Sequence, residues 1–208
     1  MKKIKNIFFD FGRTVVQHPE DGAGLRIVQH FGSDLSEADA QMLRGEIFSV
    51  AKYSNRLDEG SLSRDEYRQL LCDSLPERLH EVALAAADYP IDMLPFIPGM
   101  DKLLTKLRKL GYKLYITSNL DSLHAEQMWH TVYRNYFDDM IFSSEIKVRK
   151  PYPEFFKRAC EKFKAAPEET LFIDDLEENV AGALLCGIKG FVFGGNPDEA
   201  LDFILAAD

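Results

Sequence analysis

Short apolar runs alternate with helical patterns along most of the chain. Five runs rich in β-branched and aromatic residues predict strands over residues 4–9, 112–116, 140–142, 171–173 and 191–193. Apolar residues at helical spacing predict helices before the second run and between the later ones, over residues 101–110, 121–134, 153–164 and 177–186. Alternation of strands and helices predicts an α/β fold in which helices cover a parallel sheet.

The connection between the first two strands is far longer than an ordinary crossover. Its middle has helical character throughout: residues 36–51 follow a capping pattern, Ser63 and Glu66 form a capping-box pattern, and residues 76–87 have apolar residues at helical spacing. The return to the sheet is marked by three prolines, Pro90, Pro95 and Pro98. We therefore expect a helical subdomain inserted directly after the first strand.

These patterns divide the chain into two parts. Residues 1–15 and 97–208 are predicted to form a Rossmann-like core, with a parallel sheet and helices on both faces, and residues 16–96 a helical cap. The chain has 208 residues, of which 46% are hydrophobic. That is enough for one such core with an insertion.

Charge and cysteine content narrow the class of protein. The net charge is -9, which argues against a nucleic-acid partner because such proteins usually carry a basic face. The three cysteines lie far apart, so a disulfide framework is not expected. No apolar run reaches the length of a membrane span. We expect a soluble cytoplasmic protein, monomeric or homodimeric, without a membrane or nucleic-acid partner.

Polar residues follow the strands at the edge where parallel strands bind ligands. Asp10 follows the first strand, Thr117-Ser118-Asn119 the second, and Asp174-Asp175 the fourth, while Lys150 precedes a helix. An aspartate can attack phosphorus, and two further carboxylates can hold Mg²⁺. A serine hydroxyl and a lysine ammonium can bind the remaining phosphate oxygens. The pattern therefore favours phosphoryl transfer.

These four strand-end motifs together resemble the haloacid dehalogenase superfamily of phosphohydrolases. They are Asp10-Phe11-Gly12-Arg13-Thr14, Thr117-Ser118-Asn119, Lys150-Pro151 and Asp174-Asp175. The resemblance implies catalytic roles for Asp10, Ser118 and Lys150, substrate contacts for Thr14 and Asn119, and metal binding by Asp10, Gly12, Asp174 and Asp175. The inserted helices would be the cap that selects the substrate. The subgroup that the chain resembles includes sugar-1-phosphate phosphatases and the amino-terminal phosphatase domain of epoxide hydrolases.

The first motif departs from the family pattern at Gly12. The family's phosphatases have a second aspartate there, which protonates the leaving oxygen and activates water. Acid–base help of this kind is worth about 10²–10⁴-fold in rate. Gly12 can offer the metal only its backbone carbonyl, and Arg13 cannot act as a base.

Three functions stay open at this point. The first is a Mg²⁺-dependent phosphatase for a small phosphorylated metabolite, with a sugar phosphate among the candidates, that works through an aspartyl-phosphate. His18 and Glu20 are candidates for its missing acid. The second is a metal-independent 2-haloacid dehalogenase, which needs no acid because halide leaves unprotonated. The third is a protein that binds a phosphorylated ligand with little or no turnover.

Overall fold

The computed structural model of the chain describes residues 3–207, so residues 1, 2 and 208 of the predicted core lie outside it. A five-stranded parallel sheet with the order β3-β2-β1-β4-β5 lies at its centre. Its strands are β1 (Asn6–Phe9), β2 (Lys113–Ser118), β3 (Asp139–Phe142), β4 (Thr170–Asp174) and β5 (Lys189–Val192). The predicted strands and their parallel arrangement are confirmed, with shifts of up to two residues at their ends.

The central strands are apolar along their length because both faces of the sheet are covered. Side chains alternate across the sheet, so Ile7 and Phe9 pack in one cluster while Phe8 packs in another. Eleven α-helices are described within residues 3–207. Six of them belong to the core: α6 (Met100–Lys109), α7 (Ser122–Met128), α8 (Ser143–Ile146), α9 (Pro153–Phe163), α10 (Glu177–Leu184) and α11 (Pro197–Ala207). Leu103 and Ile204 of α6 and α11 join the first cluster, and Phe155 of α9 joins the second.

The other five α-helices lie between β1 and β2, and we call this segment the inserted helices. They are α1 (Ala23–Phe31), α2 (Glu37–Ile47), α3 (Asn55–Asp58), α4 (Arg64–Ser74) and α5 (His80–Ala87). The predicted capping box is present: the Ser63 hydroxyl accepts from the Glu66 N–H, and the Ser63 N–H donates to the Glu66 carboxylate at 2.9 Å. None of the helices within residues 3–207 is long and apolar enough to cross a membrane.

Short helical turns complete the chain. A π-type turn spans Val50–Ser54, and 3₁₀ turns span Pro19–Asp21, Glu77–Leu79, Ile91–Met93, Val132–Tyr136 and Pro167–Glu169. The π-type turn means that the helix predicted over 36–51 is shorter, since α2 ends at Ile47 and the chain turns before α3 begins.

The length of the helix predicted over residues 121–134 is also wrong. The observed helix, α7, ends at Met128, and the Thr131 hydroxyl donates to the Met128 carbonyl at 3.1 Å. A threonine hydroxyl that bonds to a nearby carbonyl offers the backbone an alternative to a continued helix. The chain then turns through Val132–Tyr136, and this turn buries Tyr133, whose hydroxyl donates to the Leu94 carbonyl.

Candidate active site

The predicted site residues other than Thr14 meet at the carboxyl end of the sheet. Register fixes their positions, because Phe9 of β1 pairs with Ile116 of β2 and with Ile173 of β4. The Asp10 N–H then donates to the Ile173 carbonyl at 2.9 Å, which brings the end of β1 beside that of β4. A cavity of about 230 Å³ lies between this edge and the inserted helices.

Lys150 lies at the centre of the site and is 1% exposed. Its Nζ atom donates to Asp10 Oδ1 and to Asp174 Oδ2, each at 2.6 Å. Burial alone would lower the pKa of Lys150, but the carboxylates of Asp10 and Asp174 outweigh it and raise that pKa. The ammonium is therefore charged, and it offsets the repulsion between two carboxylates held in a dry environment.

Asp10 is almost fully buried at the floor of the cavity. Burial raises its pKa to about 7; Lys150 opposes this rise, and Asp174 adds to it. A divalent cation beside this carboxyl would favour its ionised form. The protonation of Asp10 therefore depends on the charges that its neighbours and a bound cation supply.

Three carboxylates can contribute to one cation site. Asp10, Asp174 and Asp175 each offer an oxygen, and these oxygens lie within 4.8 Å of one another. The Asn179 amide donates to both oxygens of Asp174, at 3.0 and 3.1 Å, and the Leu176 N–H donates to Oδ1 at 2.8 Å. A set of carboxylate oxygens held in this way suits a hard cation such as Mg²⁺. Asn179 lies five residues after Asp174, and its contact with that carboxylate is seen only in the structure.

Ser118 ends β2, Asn119 follows it, and both line the cavity. The Ser118 hydroxyl donates to Asp10 Oδ1 at 3.4 Å, a long contact that leaves it able to turn towards another oxygen. The Asn119 side chain accepts from the Lys150 N–H at 2.8 Å and donates to the Lys150 carbonyl at 3.1 Å. Asn119 therefore fixes the backbone that carries the central lysine.

The turn after Asp10 places Gly12 at the cavity and Thr14 away from it. Gly12 lines the cavity, as a carbonyl ligand to a metal there would require. Thr14 is fully buried, does not line the cavity, and makes no hydrogen bond through its hydroxyl within residues 3–207. The prediction that Thr14 contacts substrate therefore has no support from this geometry: the tight turn, in which the Val15 and Val16 N–H groups donate to the Phe11 carbonyl, directs it into the protein.

His18 occupies the space beside Gly12. A Cβ atom at residue 12 would lie 3.0 Å from His18 Cδ2, so the ring stands where a second carboxylate would begin. Burial lowers the pKa of His18 to about 4, and the charge of Arg13 adds to this. His18 Nδ1 accepts from the Glu20 N–H at 3.3 Å. Glu20 itself pairs with Arg13 at 2.7 Å. His18 is therefore largely unprotonated at neutral pH, and Glu20 is engaged by Arg13.

The inserted helices supply the wall of the cavity opposite the sheet. This wall, which we call the helical wall, carries Asp58, Arg64, Tyr67 and Tyr89. Tyr67 lines the cavity although its side chain is almost fully buried, and its hydroxyl donates to the Ile47 carbonyl at 2.9 Å. Asp58 and Arg64 were missed as site residues, because the orientation of α3 and α4 follows from packing rather than from a motif.

A buried aspartate–histidine pair adjoins the helical wall. Asp121 Oδ2 lies 2.5 Å from His124 Nδ1, and Arg64 lies 3.6 Å from Asp121 Oδ1. Burial would raise the pKa of Asp121, but His124 and Arg64 hold it at about 2. Asp121 is therefore ionised at neutral pH and contributes a fixed negative charge next to the cavity.

Comparison with known proteins places the site in context. A family model described as haloacid dehalogenase-like hydrolase matches residues 4–187. The D-ribitol-5-phosphate phosphatase of Bacteroides thetaiotaomicron is 28% identical, covering 96% of this chain and 95% of the relative. The glyceraldehyde 3-phosphate phosphatase of Pyrococcus furiosus is 25% identical, covering 100% and 89%.

Solved structures share the fold. A haloacid dehalogenase family enzyme of Bacteroides thetaiotaomicron, in complex with magnesium and inorganic phosphate, superposes with a TM-score of 0.68 at 24% identity, covering 93% of this chain and 96% of that one. An L-2-haloacid dehalogenase of Xanthobacter autotrophicus superposes with a TM-score of 0.63 at 21% identity, covering 90% and 76%. With its sheet order, its strand-end residues and a family match over most of its length, the chain belongs to the haloacid dehalogenase-like hydrolases.

Proposed function

We propose that the protein is a Mg²⁺-dependent phosphomonoesterase that hydrolyses a small phosphorylated metabolite through an aspartyl-phosphate on Asp10. The observation that carries the proposal is the convergence of one nucleophilic carboxylate, one buried ammonium and two further carboxylates at one cavity. The two curated relatives described above act on a polyol phosphate and a triose phosphate, which supports a substrate of this size and class.

Two displacements make up the reaction. In the first, an Asp10 carboxylate oxygen forms a bond to phosphorus while the bond between phosphorus and the leaving oxygen breaks. In the second, water attacks phosphorus, the bond to Asp10 breaks, and inorganic phosphate leaves. Covalent catalysis of this kind divides one difficult substitution into two easier ones. Lys150 and Ser118 would bind the phosphate oxygens that do not react, because both already contact Asp10.

The three clustered carboxylates explain why a cation is needed. Asp10, Asp174 and Asp175 would repel a phosphate dianion. A Mg²⁺ ion bound by these residues, with the Gly12 carbonyl as a further ligand, would offset that repulsion. The Asn179 amide, which donates to both Asp174 oxygens, would keep the Asp174 carboxylate oriented for this role.

The inserted helices fit the role of a cap. They close the cavity on the side opposite the sheet, and their side chains line the space that a leaving group would fill. We infer that residues 16–96 form this cap and select the substrate. A cytoplasmic location and a monomeric or homodimeric state stay predictions from the sequence.

Phosphate release from a panel of esters tests the proposal. The panel holds D-ribitol 5-phosphate, glyceraldehyde 3-phosphate and p-nitrophenyl phosphate, each with Mg²⁺ and with a chelator, beside 2-chloropropionate. We expect phosphate release that requires Mg²⁺ and is lost in Asp10→Asn. Asp198→Asn is the matched control, because it removes an exposed carboxyl at the start of α11.

Other outcomes distinguish the alternatives. Chloride release without Mg²⁺ would favour a dehalogenase, although three converging carboxylates are a poor setting for metal-free chemistry. Tight binding of phosphate esters without release, in the wild type and in Asp10→Asn alike, would favour a binding protein. Equal loss in Asp198→Asn would show that the effect of Asp10→Asn is not specific to the site.

A further inference from the structure

The proposed phosphatase lacks an acid at the position where its family carries one. A metabolite alkoxide is a poor leaving group, so its oxygen needs a proton as the bond to phosphorus breaks. Residue 12 is glycine, the adjacent His18 is largely unprotonated at neutral pH, and Glu20 is held by Arg13. The proton must come from another wall of the cavity.

Asp58 is the carboxyl that the helical wall presents to this cavity. It ends α3, which follows the π-type turn, and it lines the cavity together with the preceding Ser54, Asn55 and Leu57. Its side chain is partly buried, and within residues 3–207 it makes no hydrogen bond or close ion pair. The carboxyl is thus unengaged and lies on the side of the cavity opposite the strand ends.

The charges around Asp58 favour its protonated form. Burial raises its pKa to about 8, the negative charge of Asp121 adds to the rise, Arg149 opposes it, and Asp10 and Glu59 add smaller contributions. The dianionic phosphate of a bound substrate would bring further negative charge and favour the protonated form in the same direction. Asp58 therefore has the protonation state that an acid needs near neutral pH.

We propose that Asp58, reaching across the cavity from the inserted helices, is the acid–base residue that replaces the carboxylate missing at residue 12. The inference rests on the proposed phosphatase function. In the first displacement the leaving oxygen takes the electron pair of its bond to phosphorus and the proton of the Asp58 carboxyl. In the second the Asp58 carboxylate takes a proton from the attacking water while the bond between phosphorus and Asp10 breaks. One proton is given and one is recovered, so each turnover restores Asp58.

The test compares Asp58→Asn with esters of different leaving groups. p-Nitrophenolate leaves without a proton, whereas D-ribitol needs one. In single-turnover measurements we expect Asp58→Asn to slow phosphoryl transfer from D-ribitol 5-phosphate by about 10²-fold or more, and the p-nitrophenol burst to change only a few-fold. Because Asp58 also serves the second displacement, steady-state release after the burst should slow for both esters.

Two variants control for charge and for geometry. Glu59→Gln removes the neighbouring carboxyl, which faces Arg149 at 3.8 Å and does not line the cavity, so both esters should react at near wild-type rates. Asp58→Glu keeps a carboxyl that can carry the proton, so it should retain part of the rate that Asp58→Asn loses with D-ribitol 5-phosphate. Wild-type kcat/KM for D-ribitol 5-phosphate should fall as the pH rises through about 8, and this limb should be absent in Asp58→Asn.

The outcomes separate this inference from the proposed function. Equal slowing of the burst for both esters, no slowing for either, or the same loss in Glu59→Gln would overturn the role of Asp58 while the Asp10 mechanism stands. No phosphate release by the wild type from any ester would overturn the phosphatase itself. If Asp58→Asn does not fold, the wild-type pH profile and Asp58→Glu decide the question.

Discussion

The two walls of the cavity are built in different ways. At the end of the sheet, Asp10, Lys150 and Asp174 are buried, and each makes close contacts with charged or amide partners. On the helical wall, Asp58 is partly exposed and has no such close partner among residues 3–207. Adjacent strands position Asp10 and Asp174, and Asn119 fixes the backbone of Lys150. Asp58, in contrast, stands on a four-residue helix after an irregular turn.

This difference indicates a division of labour. In the proposed mechanism, the chemistry that any phosphate ester requires, nucleophilic attack and charge neutralisation, is assigned to the rigid set, which is Asp10, Lys150 and Asp174. The chemistry that depends on the leaving group is assigned to the helical wall, where side chains remain available for a ligand. Groups that are already in place before the substrate binds need little reorganisation during the reaction. Side chains without partners, in contrast, can change position when a substrate enters the cavity.

The largest expected effect is that of Lys150→Met, which removes the centre of the rigid set. Two buried carboxylates would face each other without the ammonium that both now bond. Removal of one partner from a buried ionic cluster typically costs about 3–5 kcal/mol of unfolding free energy. We expect a loss of that size in urea denaturation at pH 7, together with loss of phosphate release.

The matched control is Lys157→Met on the outer side of α9, where the lysine is exposed. Its unfolding free energy should change little, because exposed charges contribute little to stability. If Lys150→Met were no less stable than Lys157→Met, the buried cluster would not be the rigid element that the comparison assumes.

Much of the rigid set could be predicted from the sequence. A strand that is buried on both faces reads as a short apolar run, and parallel strands place their carboxyl ends at one edge. Asp10, Ser118 and Asp174 each follow such a run within one residue or complete it, so their convergence needs no knowledge of side-chain packing. Their catalytic roles stay predictions until the variants are measured.

The helical wall could not be predicted in the same way. Asp58 lies in a charged stretch without regular period, and it lines the cavity from α3, which directly follows the π-type turn. Gly12 signalled a missing group, but its sequence neighbourhood does not reveal that the His18 ring fills the space beside it. Thr14 matched a motif, yet the local turn buries it away from the cavity.

An effect of intermediate size is expected for Asp58→Asn when the free energy of unfolding is measured as a function of pH. Its pKa is raised in the folded state to about 8, from an ordinary value of 3.8, so ionisation of Asp58 destabilises the fold as the pH rises between these values. Asp58→Asn cannot ionise. Its unfolding free energy relative to wild type should therefore grow by roughly 1–3 kcal/mol between pH 4 and pH 8, reduced from the full linkage value by partial exposure to solvent.

Asp121→Asn provides a contrast of opposite sign. The pKa of Asp121 is lowered to about 2, so its ionised form stabilises the fold above its unfolded pKa. The deficit of Asp121→Asn should be full at pH 5 to 7 and shrink as the pH falls from about 4 to 2. A flat difference between Asp58→Asn and wild type from pH 4 to pH 8 would contradict the raised pKa of Asp58.

The smallest expected effect is a partial transfer of the acid from the helical wall back to the sheet edge. In Asp58→Asn we would add Gly12→Asp and His18→Ala together. Apart from its chain neighbours, a Cβ atom at residue 12 would meet only the His18 ring within 4 Å among residues 3–207, and Gly12 does not have the positive φ that would exclude other residues. The new carboxyl should restore hydrolysis of D-ribitol 5-phosphate by about tenfold, or about 1.4 kcal/mol in activation free energy.

The recovery of the rate should be partial, because the burial and charge around residue 12 are not those that would keep a carboxyl protonated. His18→Ala in the Asp58→Asn background is the matched control, and it should restore nothing. Recovery by that control alone would mean that the ring only obstructed water or substrate. No recovery in the triple variant, with its p-nitrophenol burst intact, would show that the leaving oxygen is beyond the reach of residue 12. The acid then has to come from the helical wall, and the two walls are not interchangeable.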